Sequence, residues 1–348
     1  MNNSIIFTGK TKKVPVAGDS VKNKYFIDRF RNVYDKVWIV GINKDSWHLY
    51  FLPFKILQLV ITAMIHSKAR IVVSSNSWES NIIIRTLNCF GMSQRIFFWV
   101  VGGSFHKIVG VKYKLSLYKK LKAIYVQSPK MVEGMEQKGF TNVVYVPNSK
   151  QINHYPKINH TSHDGTVKFV FLSRVHPDKG CGQIVECAKR LNENGFGDKF
   201  TVVFYGKLFD EYKTEFTNSI KDLSNVNYKG YLDLTKDSGY DVLSQYDVML
   251  FPTWWQGEGF PGVVIDAYVA GLPIIASDWN FNTDVVTNET GVIIPTKDAN
   301  RLYEEMLNFI MWKYDLTAMK ERCQKVAHQY DNRQVLSEEN LKRIGLLN

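Results

Sequence analysis

From about residue 36 the chain alternates short runs of β-branched and aromatic residues with stretches of helical length: KVWIVGI, ARIVVSS, RIFFWVVGG, AIYVQS and NVVYVPNS. Strands separated in this way read as βαβ units and predict a parallel sheet covered by helices. The stretch SKQINHYPKINHTSHDG is polar, carries Pro156 and has no period, which places an interdomain linker at 151–165. The same grammar then restarts with VKFVFLSR, KFTVVFYG, NVNYKGYL, YDVMLFPT, LPIIAS and TGVIIP. The expected architecture is α/β: two Rossmann-like, doubly wound parallel-sheet domains, 1–150 and 166–330, facing a central cleft, followed by a helix over 331–348. A chain of 348 residues suits two domains of ordinary size.

Charge changes the picture for the first domain only. Residues 1–165 hold 24 Lys and Arg against 8 Asp and Glu, whereas residues 166–348 hold 20 against 25, so the formal net charge of +11 is +16 in the first part and −5 in the second. A basic domain suits nucleic acid, an anionic membrane surface or an acidic substrate. The segment KIVGVKYKLSLYKKLK at 107–122 interleaves Lys112, Lys114, Lys119, Lys120 and Lys122 with Tyr113, Leu115, Leu117, Tyr118 and Leu121. It reads either as a basic amphipathic segment on a bilayer surface or as a solvated helix face.

The most apolar run, ILQLVITAMI at 56–65, is shorter than the roughly 20 residues that cross a bilayer, includes Gln58, and reads as a buried helix. No signal peptide is evident at the N-terminus, so the chain is expected inside the cell. Cys89, Cys181, Cys187 and Cys323 form no C-x-x-C pair and no zinc spacing, which suggests structural thiols in a reducing compartment.

Ligands of open parallel sheets bind outside the carboxyl ends of the strands. VKFVFLSRVHPDKGCGQIVECAKRL is a strand, a loop and a helix in order, with Arg174 at the strand end, Lys179 in the loop and Gly180 at the helix start. Ile184, Val185, Ala188 and Leu191 recur at helical spacing as its buried face. A guanidinium fork and a compact ammonium beside a helix N-terminus suit a diphosphate; two ordinary surface cations flanking a turn would look the same in isolation. YDVMLFPTWWQGEGFPGVVIDAY repeats the arrangement, with a helix opened by Pro261 and with Gly257, Gly259 and Gly262 allowing close backbone approach. Glu258 precedes this helix and Asp266 lies just over two turns further on, so both acids could face one crevice. The plainer alternatives are an acid stabilising a helix N-terminus and a solvent-facing helix residue.

Together, SRVHPDKG and GEGFPGVVIDAYVAGLPIIASDW resemble the nucleotide-sugar half of glycosyltransferase family 4, retaining enzymes of GT-B fold, especially the bacterial capsule, exopolysaccharide and O-antigen members. The resemblance covers nearly all of 124–310, with further agreement at VVYVPNS, at FYGK with Gly206 and at YKGYLD. It implies that Arg174 and Lys179 hold the donor diphosphate, that Glu258 contacts the donor sugar beside Gly259, Phe260, Pro261 and Gly262, and that Asp266 binds the ribose hydroxyls. The family usually has Glu at this last position, one methylene longer.

The first domain departs more. Many relatives carry a His after the strand corresponding to RIFFWVVGG, whereas this chain has Gly102 and Gly103 and reaches a histidine only at His106, a candidate near the transferred sugar or an ordinary structural residue. The loop PVAGDSVKN resembles the family's glycine-containing first loop, so Gly18 either approaches the phosphates or simply makes a turn. No Asp-x-Asp triplet occurs; no cofactor and no metal are expected.

The implied activity is hexosyl transfer from a nucleotide-sugar, UDP-sugar favoured and GDP-sugar next, to a saccharide or lipid-linked saccharide at the inner face of the cytoplasmic membrane. Peripheral contact with anionic lipid is expected and nucleic acid is not. The competing classes are a non-catalytic basic nucleic-acid-binding protein and an epimerase or phosphorylase of the same architecture.

Overall fold

The computed structural model describes residues 3–11, 18–42, 48–75, 77–159 and 165–348. It divides into two compact units, Met1–Gln151 with Tyr330–Asn348, and Ile152–Gln329.

The first unit is built on six parallel strands: β1 (Ser4–Gly9), β2 (Lys36–Gly41), β3 (Arg70–Ser74), β4 (Ile96–Trp99), β5 (Ala123–Val126) and β6 (Val143–Tyr145), in the order β2-β1-β3-β4-β5-β6. β1 is an internal strand, pairing Phe7 with Ile39 on one side and Val72 on the other. The sequence pattern read from residue 36 onward omits it, because SIIFTG is a single short apolar run with no partner run before it. Gly18 begins the helix Gly18–Val33; the preceding residues of the PVAG loop, 15–17, lie outside the described residues.

One face of this sheet is covered by the helix Gly18–Val33, through Phe26, Ile27 and Phe30, and by the end of the chain. Residues 331–348, expected as a helix following the second domain, instead form two short helices, Asn332–Val335 and Glu338–Arg343. Leu336, Leu341, Ile344, Leu346 and Leu347 of this tail complete the core around Trp99 and Tyr125. Polar anchors fix the tail: Arg29 Nε donates to the Leu336 carbonyl at 2.9 Å and the Tyr125 hydroxyl to that of Ile344 at 2.9 Å. The reversal follows from the spacing of apolar residues, which satisfies a core without saying which one.

Two further expectations change in this unit. The helix His48–Ile65 buries Leu52, Leu59, Val60 and Ala63 but leaves Leu57, Ile61, Met64 and Ile65 exposed, so it is not a buried helix. The 107–122 segment is not one amphipathic element. It contains the end of one short helix, Phe105–Ile108, and a second, Leu115–Lys119, with Gly110 at positive φ between them. Tyr118 and Leu121 are buried, Tyr118 against Phe98 and Phe105, so the segment shows mainly its lysines to solvent.

The second unit holds β7 (Val167–Leu172), β8 (Phe200–Tyr205), β9 (Val226–Tyr228), β10 (Val248–Phe251), β11 (Ile274–Ser277) and β12 (Gly291–Ile294), all parallel, in the order β12-β11-β10-β7-β8-β9. β10 and β11 are buried throughout and β7 and β8 nearly so, as their near-continuous apolar runs require, while the edge strand β9 exposes Asn227 and Tyr228. Strand order reverses between β7 and β10, so the loops after these two strands part around the crevice where this class of sheet binds ligands. Deeper in the unit, Lys320 and Asp247 are both fully buried and paired at 3.1 Å, tying the helix Leu316–Ala327 to the start of β10. All four cysteines are free thiols; three are buried and Cys89 is exposed.

Lys22 is a cation that the sequence pattern does not single out. It is 8% exposed, with its Nζ 5.3 Å from the Phe26 ring and 5.8 Å from that of Trp99, and without a hydrogen-bond partner among the described residues. Burial pushes its ammonium down to about 7. Between that value and the ordinary lysine range the unfolded chain binds a proton that the folded chain does not, so stability rises with pH across the window. Lys22→Met is expected to stabilise the protein on the order of 4 kcal/mol at pH 6, with the gain shrinking as pH climbs through 7 toward 10.5. Urea titrations at several pH values check both sign and window.

Candidate active site

The loop after β7 begins with exposed Arg174 and ends in a short turn, Pro177–Lys179. His176 caps this turn, its Nδ1 accepting from the Asp178 amide at 3.1 Å. Gly180 then takes φ +79°, and a Cβ there would lie 2.3 Å from the Pro252 carbonyl, so only glycine lets this loop press against the end of β10. The helix Cys181–Glu193 follows, burying Ile184, Val185, Ala188 and Leu191 as its spacing predicts.

The loop after β10 meets the first one at several points. The Trp254 amide donates to the Asp178 carbonyl at 2.8 Å and its indole Nε1 to the Asp178 carboxylate at 3.1 Å. Lys179, its side chain 3% exposed, forms an ion pair with Glu258, 13% exposed. Burial lowers the Lys179 ammonium from its ordinary range, and the Glu258 carboxylate opposes that shift. Glu258 is itself placed by its loop: its carbonyl accepts from Asn280 Nδ2 at 3.0 Å and its amide donates to the Trp255 carbonyl at 3.0 Å.

Trp255 organises the cations. Its ring lies 4.4 Å from the Arg174 guanidinium and 5.8 Å from Lys179 Nζ, with His176 edge-on at 5.1 Å. A cation on an aromatic face keeps its charge without spending its hydrogen-bond donors. Neither Trp254 nor Trp255 stands among the residues expected from sequence; the signal that could have found them is the WW pair in the loop two residues past the strand.

Phe260 and Pro261 are buried, and Pro261 occupies the N-cap position of the helix Gly262–Val269 rather than its first turn. Gly259 lies in the loop and Gly262 is the first helical residue. This helix and Cys181–Glu193 both start without a side-chain cap and without an acid in the first turn. By contrast, the helices Ala299–Ile310 and Leu316–Ala327 are capped by Asp298 and Asp315. Two uncapped N-termini beside Arg174 and Lys179 concentrate positive potential at the carboxyl ends of β7 and β10.

Asp266 is 4% exposed, and one of its oxygens accepts from the Tyr240 hydroxyl at 2.7 Å. It is therefore not a solvent-facing helix residue. Gly206, at the end of β8, has its amide committed to the Gly230 carbonyl at 2.7 Å and its own carbonyl to the Tyr228 hydroxyl at 2.9 Å. A Cβ at Gly206 would lie 1.7 Å from the Ser173 carbonyl, so this glycine positions the backbone that carries Arg174. His106 belongs to the first unit, where burial, then Lys107 and Lys138, push its imidazole down to about 4, leaving it neutral at physiological pH. Among the described residues no group of three or more His, Cys, Asp or Glu is placed to hold a metal ion.

Two Rossmann-like units in tandem, the second with cations and helix N-termini at its switch point, define the GT-B class. The fold is shared over 99% of the chain with a lipopolysaccharide outer core galactosyltransferase, WaaB, in its apo form, at a TM-score of 0.74 and 14% identity, covering 99% of that chain. It is shared equally with Anabaena Alr3699/HepE, crystallised in complex with UDP, at 0.73 and 13% identity over 99% of this chain and 100% of that one. Residues 166–311, most of the second unit, match the family described as glycosyl transferases group 1. A curated relative, the UDP-Gal:alpha-D-GlcNAc-diphosphoundecaprenol alpha-1,3-galactosyltransferase of Escherichia coli, is 26% identical over 158 residues. That match spans 44% of this chain and only 39% of the relative.

Replacing Lys179 with Met leaves the Glu258 carboxylate largely buried without its partner, and is expected to destabilise the second unit by about 3–5 kcal/mol. Adding Glu258→Gln to Lys179→Met should restore most of that loss. Chemical denaturation of the two single variants and the double variant measures the coupling.

Proposed function

We propose that the protein is a retaining glycosyltransferase that moves a hexosyl group from a nucleotide-sugar, UDP-linked by preference and GDP-linked next, to a hydroxyl of a growing lipid-linked surface glycan at the inner face of the cytoplasmic membrane. The observation that carries this reading is the convergence of Arg174, Lys179, Glu258 and two uncapped helix N-termini on one end of the second sheet. Four sources of positive potential and one carboxylate suit a diphosphate with a polyhydroxylated group attached.

In this reading Arg174 binds the diphosphate through its planar fork, and Lys179 exchanges part of its contact with Glu258 for a phosphate oxygen. Glu258 is thereby freed to accept from sugar hydroxyls. The bond between the anomeric carbon and the phosphate oxygen breaks with its electron pair passing to the diphosphate. The acceptor oxygen bonds to the anomeric carbon from the same face, and the acceptor proton passes to the departing phosphate oxygen. Preorganised donors aimed at that oxygen each lower such a barrier by about 3 kcal/mol. Asp266, held by Tyr240, is assigned to the ribose hydroxyls, and Gly259 to Gly262 to the backbone that lies against the donor.

Two measurements test the proposal. In a thermal-shift panel of UDP, GDP, CMP, ADP and NAD, one nucleoside diphosphate at about 100 times its dissociation constant should stabilise the native chain by roughly 2.7 kcal/mol. Arg174→Ala should weaken that ligand by about 10–100-fold; no response to any nucleotide removes the proposal. Because the protein's own cations carry the charge, turnover is expected to persist in chelator. Activity lost in EDTA and restored by manganese would assign that neutralisation to a metal instead.

A further inference from the structure

The helix His48–Ile65 packs one side on the first sheet and presents an apolar side to solvent: Phe51, Phe54, Leu57, Ile61, Met64 and Ile65 are 48–69% exposed. These positions fall at helical spacing along a stripe of roughly 20 Å. The neighbouring helix Ser77–Cys89 continues it with exposed Trp78 and, just past its end, Phe90. Between the two helices runs an apolar groove of about 470 Å³, lined by residues that include Leu52, Ile56, Val60 and Ile82. A contiguous apolar surface of this extent marks an interaction site. Among the described residues no helix is long and apolar enough to cross a membrane.

Charge identifies what covers this surface. Residues 48–122 carry eleven Lys and Arg and one acid, Glu79, which is 2% exposed. Lys55 and Arg85 are exposed on the two helices themselves. At one end of the stripe Ile65 borders a hollow lined with Lys36, Lys68 and Arg70. On the other side, the Tyr118 hydroxyl bonds Asn81 Oδ1 at 3.2 Å, which sets the helix Leu115–Lys119 beside Ser77–Cys89 and brings exposed Lys114, Lys119 and Lys120 to the margin. Two copies of this face would bring cations against cations with no exposed acid to pair them. An anionic lipid surface meets both requirements, taking the apolar stripe among its acyl chains and the rim of lysines at its headgroups.

We propose that the face formed by His48–Ile65, Ser77–Cys89 and Leu115–Lys119 seats the protein on an anionic bilayer, with the apolar stripe inserted at the interface and the lysines bound to lipid phosphates. The lysine segment at 107–122 therefore contributes charge, and His48–Ile65 contributes the insertion. The proposal does not depend on the donor site, whose failure would be read by nucleotides alone.

Exposed Cys89 is the natural reporter, because the other three thiols are buried. The full chain, labelled there with an environment-sensitive fluorophore, is mixed with vesicles of phosphatidylcholine alone or with equal phosphatidylglycerol. Expected are co-sedimentation with the anionic vesicles, a blue shift of the label, and partial persistence of both at high salt. A variant with Phe54, Leu57, Ile61 and Met64 each changed to Ser should lose binding at least about tenfold while keeping its thermal midpoint. Lys119→Ala with Lys120→Ala should weaken binding chiefly at low salt. Absence of binding, or binding that the serine variant leaves unchanged, overturns the proposal. A wild-type dimer that the serine variant converts to monomer overturns it as well, in favour of a second copy.

Discussion

The second unit is organised around a charge pair that water barely reaches. Once Lys179 and Glu258 lie together under Trp255, the loops after β7 and β10 can no longer move independently, since separating them would strand a charge in a poorly solvated place. The Asp178 contacts with Trp254 and the glycine contact of Gly180 with Pro252 serve the same closure with neutral groups. What the pair secures is position: a cation and an acid from two crossover loops held at one strand end before any ligand arrives. In the proposed transfer, such placement in advance is what electrostatic stabilisation of the leaving group requires.

Much of this was legible in the sequence. Arg174, Lys179 and Glu258 sit at strand ends and in glycine-flanked loops, and an apolar run followed by a loop and a helix locates a strand end without knowledge of the sheet order. The face taken by a side chain within a loop is not written in a local pattern, so the Lys179–Glu258 contact and the stacking on Trp255 emerge only in the folded chain. Asp266 shows the limit from the other side. Its distance from Glu258 along the chain was plain, but its partner, Tyr240, comes from a helix 26 residues earlier whose packing no local period records.

The first unit is less legible in its sequence, for physical reasons. β1 is a six-residue run whose neighbours, β2 and β3, are distant in sequence, so its central place follows from pairing and not from pattern. The helix His48–Ile65 is apolar nearly all round, a composition compatible with full burial or with two different apolar surroundings. In the 107–122 segment the alternation of lysine with aromatic residues is real, yet Tyr118 and Leu121 are consumed by the core.

The return of the chain's end to the first unit bears on how the protein is made. The second unit is, in effect, an insertion into the first: Ile152–Gln329 is synthesised whole before Tyr330 brings the chain back. On the ribosome the first sheet emerges early but keeps Trp99, Tyr125 and Phe30 without their last apolar neighbours until Leu336 to Leu347 follow. The unit that appears first is thus finished only after the second has been made.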